Sequence, residues 1–416
     1  MRIMLSNLLR FKVSDKTGKS AELDDLAVAL LEGDYPAVKS LIFKIDKKLL
    51  RLPWSAVESV DKREKQIRVS DFAQAKENSR ENDKDEVLLK CDVMDALLLD
   101  LQNRSSIRAN DLELEERDKQ LFLKAADASL EAILRRISFG FYRHISTNGL
   151  YDWKYVEFLR GNPSAVRNGE GYHLRITRMP PGDIAQLASL IPYLHAAELL
   201  TLLPDPQAAK TLEVMRVERQ LQVFEELDED QAVRLLALMS PDAAADLVGR
   251  LQTRMMRLYL EKLPRGKSEK IVELLRYPED TVGGIMTNDV AYLPADLTVA
   301  EAQDKLREHI KETDFVYLIY IVSDEESRNL RGVISLRKLF TADDGDSKLE
   351  EIIDPYLATL NSMDSATEAA YRVVGSQLAA MPVIGLNKKL IGAVTIDAAI
   401  STITAANTSE NLRIFS

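Results

Sequence analysis

Y-P-E-D-T-V-G-G-I-M-T-N-D-V-A-Y-L, residues 277–293, is where one sequence rhythm stops and another starts. Pro278 has no backbone N–H to give a helix and biases the residue before it away from αR, so it ends a helical run. Gly283-Gly284 then offers a permissive turn before the next ordered segment. The pattern before this stretch is helical, and after it β and α segments alternate. Whatever lies on either side is coupled through it.

Working back from the junction, residues 180–277 divide into consecutive units of 12 or 13 residues, such as P-P-G-D-I-A-Q-L-A-S-L-I, P-Y-L-H-A-A-E-L-L-T-L-L and P-D-A-A-A-D-L-V-G-R-L-Q. Several open on Pro or Asp, which suit the first helical turn. Apolar residues recur three and four apart, as in Ile184, Leu187 and Ile191, or Val233, Leu236 and Met239. Helices this short cannot bury their stripes alone, so the units must stack into an all-α superhelix.

Working forward, residues 278–408 read as two β-α-β-β-α units, about 285–341 and 352–408, that pack as one pair. Their longest apolar run, Phe315 to Val322, has eight residues. A membrane helix needs about 20, so this run is a buried strand and the chain has no membrane span.

Upstream, residues 1–75 read as a small β-barrel of short strands, including Val38 to Ile45, Leu49 to Trp54 and Gln66 to Val69. A polar linker, Ala73 to Asp85, leads to a second β-rich unit, so that the second domain runs over 76–140. Residues 141–179 read as an irregular connector. The step L-P-W-S-A-V-E-S-V-D, residues 52–61, resembles the I-P-W-x-x-V-x-x-I step of the PRC-barrel family, and the second unit reads as a more diverged barrel of that kind.

A net charge of −11 opposes nucleic-acid binding by the whole chain, since phosphate contacts need a basic footprint. A basic segment, Arg167 to Arg178, leaves RNA contact as a minor alternative. The single cysteine, Cys91, excludes an internal disulfide framework and points to a reducing, cytoplasmic setting. The N-terminus lacks the apolar core and cleavage site of a signal peptide. No catalytic constellation emerges: His144, His173, His195 and His309 are scattered, and no phosphate-binding loop surrounds the paired glycines. The expectation is a protein that is not an enzyme.

Residues 180–408 resemble the cytosolic part of MgtE-type magnesium transporters, a superhelix followed by a tandem CBS pair. The junction Y-P-E-D-T-V-G-G-I-M-T is similar to that family's S-Y-P-E-D-T-A-G-x-x-M-T, and Gly332 to Arg337 and Gly392 to Asp397 fit its two CBS units. The fold expected is therefore multidomain: N-terminal β-barrels, the superhelix, then the α/β CBS pair. In the family a membrane domain begins just after the second unit, where this sequence ends, so this chain is expected not to conduct ions alone.

The resemblance implies two ligand systems. CBS pairs that bind adenosine nucleotides place Ser or Thr at the end of the third strand and Asp three residues later. Here Ser335 is followed by Lys338 and Thr395 by Ala398, so both ribose carboxylates are missing. Asp397 lies one position off, about 100° round a helix, which leaves Thr395 and Asp397 either as residual nucleotide ligands or as helix caps. The family also senses Mg²⁺, a hard cation that takes oxygen ligands. Asp242 and Asp246 share a helix face, and Glu279-Asp280 sits at the junction. The structural alternatives are a helix N-terminal charge for Asp242 and a solvated face for Asp246. The last CBS helix, where the family is acidic, reads A-A-I-S-T-I-T-A-A-N.

Arg250, Arg254, Arg257, Lys262, Arg265, Lys267 and Lys270 make the end of the superhelix basic, while Asp324 to Glu326 and Asp343 to Glu351 make the CBS part acidic. One expectation is that ion pairs between these segments hold the two parts together; the other is that they face solvent, where each pair is worth about 0–1 kcal/mol. Two functions remain. One is a regulatory module that responds to Mg²⁺ or a nucleotide and signals to a partner such as a separately encoded transporter. The other is a constitutive scaffold without a small-molecule ligand. Either way the CBS pair implies a homodimer.

Overall fold

The computed structural model describes residues 2–30, 33–45, 48–78, 86–137, 149–158, 175–309, 318–342, 344–354 and 358–414. Residues 79–85 of the linker, 167–174 of the basic segment, Asp343, His144 and His173 lie outside them. The chain forms two units, Met1–Leu227 and Asp228–Ser416.

The first unit begins with β1 (Arg2–Met4), a short helix α1 (Leu5–Leu8), β2 (Lys12–Ser14), β3 (Ser20–Ala29), β4 (Val38–Ile45), β5 (Lys48–Pro53), β6 (Val57–Asp61), β7 (Gln66–Val69), β8 (Lys76–Glu77) and β9 (Glu86–Leu88). Strands β2 to β9 form one sheet in the order β6-β7-β2-β3-β4-β5-β8, with β9 on β3. Next come β10 (Leu97–Asp100), β11 (Ser105–Arg108), β12 (Asp111–Arg117), β13 (Gln120–Asp127), α2 (Leu130–Ile137), β14 (Leu150–Asp152) and β15 (Val156–Phe158). These make two further sheets, β1-β12-β13-β14 and β11-β10-β15.

Two features differ from the sequence reading. The first strand leaves its neighbours and pairs with β12, Ile3 opposite Leu114, and one hydrophobic core runs from Ile3 to Phe158. A division at residue 75 therefore separates strands that share a sheet. Residues 150–158, read as irregular, instead supply β14 and β15, which pair with β13 and β10. Each is only three residues long, too short for an alternating pattern to show. Beneath this region Arg135 of α2 is fully buried between Asp111 and Asp127.

The same unit holds four repeat helices, α3 (Pro181–Ser189), α4 (Tyr193–Thr201), α5 (Asp205–Glu213) and α6 (Val217–Glu225); the second unit continues with α7 (Glu229–Leu238), α8 (Pro241–Gly249), α9 (Thr253–Lys262) and α10 (Arg265–Leu274). Each helix is nine or ten residues, and alternate helices pack, α3 on α5 and α8 on α10. A polar ladder fixes the stacking. Gln207 donates to the carbonyl of Met179, Arg219 to that of Ile191 and Lys267 to that of Met239, each across 28 residues. These side chains satisfy carbonyls that a helix end or turn leaves without an intrahelical partner.

Beyond the superhelix come α11 (Val282–Ile285), β16 (Tyr292–Pro294), α12 (Val299–His309), β17 (Leu318–Val322), β18 (Leu330–Ser335), α13 (Leu336–Phe340), α14 (Leu349–Ile352), β19 (Leu360–Asn361), α15 (Ala366–Ser376), β20 (Ala380–Ile384), β21 (Leu390–Thr395) and α16 (Ile396–Ile414). In each half a parallel pair precedes an antiparallel one, giving β16-β17-β18 and β19-β20-β21. Both antiparallel pairs shift register at the same place, at Ile321/Val322 and Val383/Ile384. The side chains of β17 alternate: Ile319 and Ile321 enter the core of their own half, whereas Tyr320 and Val322 pack with Ala380 and Ala393 of the other. That alternation is the period-two geometry of a strand buried on both faces.

Candidate functional site

The junction lies against the second CBS half, not the first half that follows it in sequence. Ala366 donates to the carbonyl of Asp280 at 2.9 Å, Val282 to that of Asp364 at 2.9 Å, and Gly283 to that of Ser362 at 2.8 Å. Thr287 and Ala393 exchange both backbone hydrogen bonds at 2.9 Å. The paired glycines are not a left-handed turn; they sit in α11. They are needed because the chain folds back on itself. A β-carbon on Gly283 would lie 2.9 Å from Cβ of Tyr277 and nearer still to its ring, and one on Gly284 would lie 2.8 Å from Cα of Glu279. On the other side of the contact, a β-carbon on Gly392 would lie 2.5 Å from the carbonyl oxygen of Thr287.

Of the four carboxylates singled out in the sequence, three share an electrostatic field. Asp242 is in the first turn of α8 and Asp246 one turn on. The Asp246 carboxyl is pushed up to about 6, first by desolvation and then by the negative charges of Asp242 and Glu279, with Arg250 opposing. The residue itself is exposed on α8, so solvent screens part of this field. Glu279 and Asp280 are exposed, and Asp280 engages the CBS pair through its backbone. Oxygen donors in a negative field are the chemistry that suits Mg²⁺. Among the described residues, however, no group of three or more His, Cys, Asp or Glu side chains closes into a metal cage. What the donor set fits is a cation held by one or two carboxylates with water completing the shell.

The hydroxyls expected to meet a nucleotide have local partners. Ser335 caps α13 by accepting from the Lys338 N–H at 3.1 Å, and Thr395 accepts from that of Ala398 at 3.2 Å. Asp397 is exposed in the first turn of α16, a favourable place for a negative charge. The cleft beside Thr395 is lined also by Thr287, Asp289, Leu318 and Tyr320, and its free volume is about 20 Å³, room for a single water. Tyr320 is 2% exposed, and its hydroxyl has no hydrogen-bond partner among the described residues. The sequence reading missed Tyr320. Its position in F-V-Y-L-I-Y-I-V gave the signal, because alternate residues of a doubly buried strand must face different layers.

The anticipated ion pairing is also rearranged. The acidic segments bond locally: Asp324 with Ser323 and Ser327, Asp344 with Ser347, and Glu325 with Lys305. In the basic segment Lys262 pairs with Glu229 and Arg265 with Glu269, both within the superhelix. Lys270 of that cluster reaches the CBS part, through Asp289 at 2.7 Å. Short turns such as Asp324 to Ser327 satisfy a carboxylate with nearby N–H and O–H groups, which competes with any distant cation. Arg175, from the segment considered for RNA, donates to the carbonyls of Trp153 and Val156, and His195 bonds Glu198.

Comparison with known proteins places this architecture. The profile of the MgtE intracellular N domain matches residues 179–280, and that of the CBS domain matches residues 282–345. The magnesium transporter MgtE of Bacillus subtilis is 25% identical over 222 residues, covering 53% of this chain and 49% of that protein. MgtE of Thermus thermophilus is 32% identical over 147 residues, covering 35% and 32%. The chain thus spans about half the length of the first relative and about a third of the second. Among solved structures, the cytosolic domain of the Mg²⁺ channel MgtE in complex with ATP is 27% identical with a TM-score of 0.52, covering 56% of this chain and 93% of that one. The soluble part of a magnesium transporter is 25% identical with a TM-score of 0.52, covering 58% and 95%. This chain carries an MgtE N domain followed by a CBS domain and is homologous there to MgtE cytosolic domains. Among the described residues no helix is long and apolar enough to cross a membrane.

Proposed function

We propose that the chain is a non-catalytic regulatory protein of the cytoplasm that responds to Mg²⁺ and passes its state to a partner such as a separately encoded transporter. The observation that carries this reading is the Asp246 carboxyl, raised to about 6 by desolvation first and then by the charges of Asp242 and Glu279, against Arg250. A site that resists its own negative charge gains from a cation, and Glu279 belongs to the junction seated on the CBS pair. Asp242, Asp246 and Glu279 would hold the ion with water, and Asp280 would position the junction through its backbone. Exposed Tyr371 and Val374 on α15 and Ile400 on α16 support a homodimer through the CBS pair.

An adenosine nucleotide at Ser335, Thr395 and Asp397 is less well supported, because both hydroxyls already cap helices and the cleft beside Thr395 has room for one water. The same two facts favour the second reading, a constitutive scaffold. A thermal-shift series with MgCl₂, AMP and ATP separates them. A ligand that binds only the folded state adds about 2.7 kcal/mol at one hundred times its dissociation constant. The regulatory reading expects a Mg²⁺ shift in the wild type that Asp246→Asn abolishes; no shift with any ligand selects the scaffold.

A further inference from the structure

A polar tie joins α10 to the wall of the CBS cleft. The Lys270 ammonium contacts Asp289 at 2.7 Å. Beside it the Asn288 side-chain amide donates to the carbonyl of Lys270 at 2.9 Å and to the Glu273 carboxylate at 3.3 Å. Asn288 thus grips the backbone and a side chain of α10 while the adjacent carboxylate holds a side chain of the same helix. Beyond the tie, Asp289, Val290 and Ala291 line the same cleft as Tyr320. The preceding residue, Thr287, is fixed to β21 by two backbone hydrogen bonds. The segment 287–291 is therefore held on one side by the superhelix and on the other by the CBS pair, and it cannot shift without disturbing both.

We infer that this tie is a latch built into the protein: the Lys270 ammonium supplies the positive charge that holds α10 to the CBS pair, so that α10 and the cleft wall move together without a divalent cation. The latch uses a residue of the basic cluster and a carboxylate outside the Asp242, Asp246 and Glu279 group, so it stands whether or not that group takes magnesium. Asp289 serves both sides. Enlarging the cleft by moving residues 289–291 would pull the carboxylate from Lys270, and releasing α10 would free the cleft wall. The two events are one equilibrium, as coupling between sites requires.

Hydrogen exchange on the full chain tests this in EDTA, where the magnesium reading plays no part. Lys270→Met and Asp289→Asn should each speed exchange in both 265–276 and 287–291, by about two- to fivefold, the range of a partly exposed ion pair. The double variant should be no faster than either single one, and Lys270→Arg should behave as the wild type. Raising NaCl should loosen the wild type and leave the variants unchanged. Additive single effects, acceleration in only one segment, or a wild type indifferent to salt would each overturn the latch. Asp289→Asn preserves shape, so an unchanged melting midpoint in that variant separates loss of the latch from loss of the fold.

Discussion

The ring of Tyr277 occupies the space that a β-carbon on Gly283 would need, 2.9 Å from Tyr277 Cβ and nearer to the ring atoms. The proline that ends the superhelix and the glycines that follow it are thus one device. Pro278 turns the chain, the ring of Tyr277 covers the turn, and α11 can come close only because Gly283 and Gly284 have no side chains. The close approach puts the N–H groups of Val282 and Gly283 on the carbonyls of Asp364 and Ser362.

Alanine at these two positions should not cost the same. At Gly283 most of the obstacle is the Tyr277 ring, which can rotate away although its Cβ at 2.9 Å cannot; at Gly284 it is the backbone of Pro278 and Glu279. Overpacking costs about 1–3 kcal/mol, and Gly284→Ala should fall at the top of that range with Gly283→Ala below it. Chemical unfolding of each variant measures the difference, and equal costs would mean that the ring is as rigid as the backbone.

Asp246 gives a pH signature whose sign is fixed. Its folded-state carboxyl titrates near 6, above the ordinary 3.8, so the folded state binds the proton more tightly than the unfolded one. Stability therefore falls as pH rises from about 4 through 6, and is unaffected by this group below that window. Asp246→Asn should melt higher than the wild type at pH 8 and level with it at pH 3.5. Solvent contact keeps the gain below about 1 kcal/mol. MgCl₂ should narrow the gap at pH 8 by stabilising the wild type alone.

Arg135 tests the β region. It is fully buried against Asp111 and Asp127, and Asp111 also accepts from the N–H and hydroxyl of Ser6. Burial pushes the Asp111 carboxyl up, and those hydrogen bonds and the guanidinium oppose it. Removing the cation would strand two carboxylates in the core. Arg135→Ala should cost about 3–5 kcal/mol in urea unfolding, and adding Asp127→Asn should recover part of the loss.

What could be read from sequence follows the range of the forces involved. The helical units of 12 or 13 residues and the strand read over Phe315 to Val322 are local patterns; Phe315 to Tyr317 lie outside the described residues, and the helices and the strand from Leu318 to Val322 are in place. So is the capping alternative for Thr395, because an N-cap is decided within one turn. The pairing of β1 with β12 joins residues over a hundred positions apart, and no local period encodes it. Charge clustering misled for a related reason. Seven cations at the end of the superhelix suggested ion pairs with Asp324 to Glu326 and Asp343 to Glu351, yet Lys270 pairs with Asp289, outside both segments, and the acidic turns bind their own backbone.

Tyr320 supplies the last prediction. Its hydroxyl is buried without a partner among the described residues, and burial alone raises its ionisation above the ordinary range. An unsatisfied buried polar group costs about 1–3 kcal/mol. Tyr320→Phe removes the oxygen and keeps the ring that packs on Ala380 and Ala393, so the variant should be more stable by about 1 kcal/mol. The neighbouring cavity of about 20 Å³ offers the alternative outcome. A water held there between Tyr320 and the hydroxyls of Thr287 and Thr395 would make Tyr320→Phe destabilising instead, since the water would lose a partner. The sign of the change in unfolding free energy thus reports whether the centre of the CBS pair is dry or wet. Tyr320→Ala separates the ring from its hydroxyl: truncating so large a buried side chain should cost about 3–5 kcal/mol whichever is true.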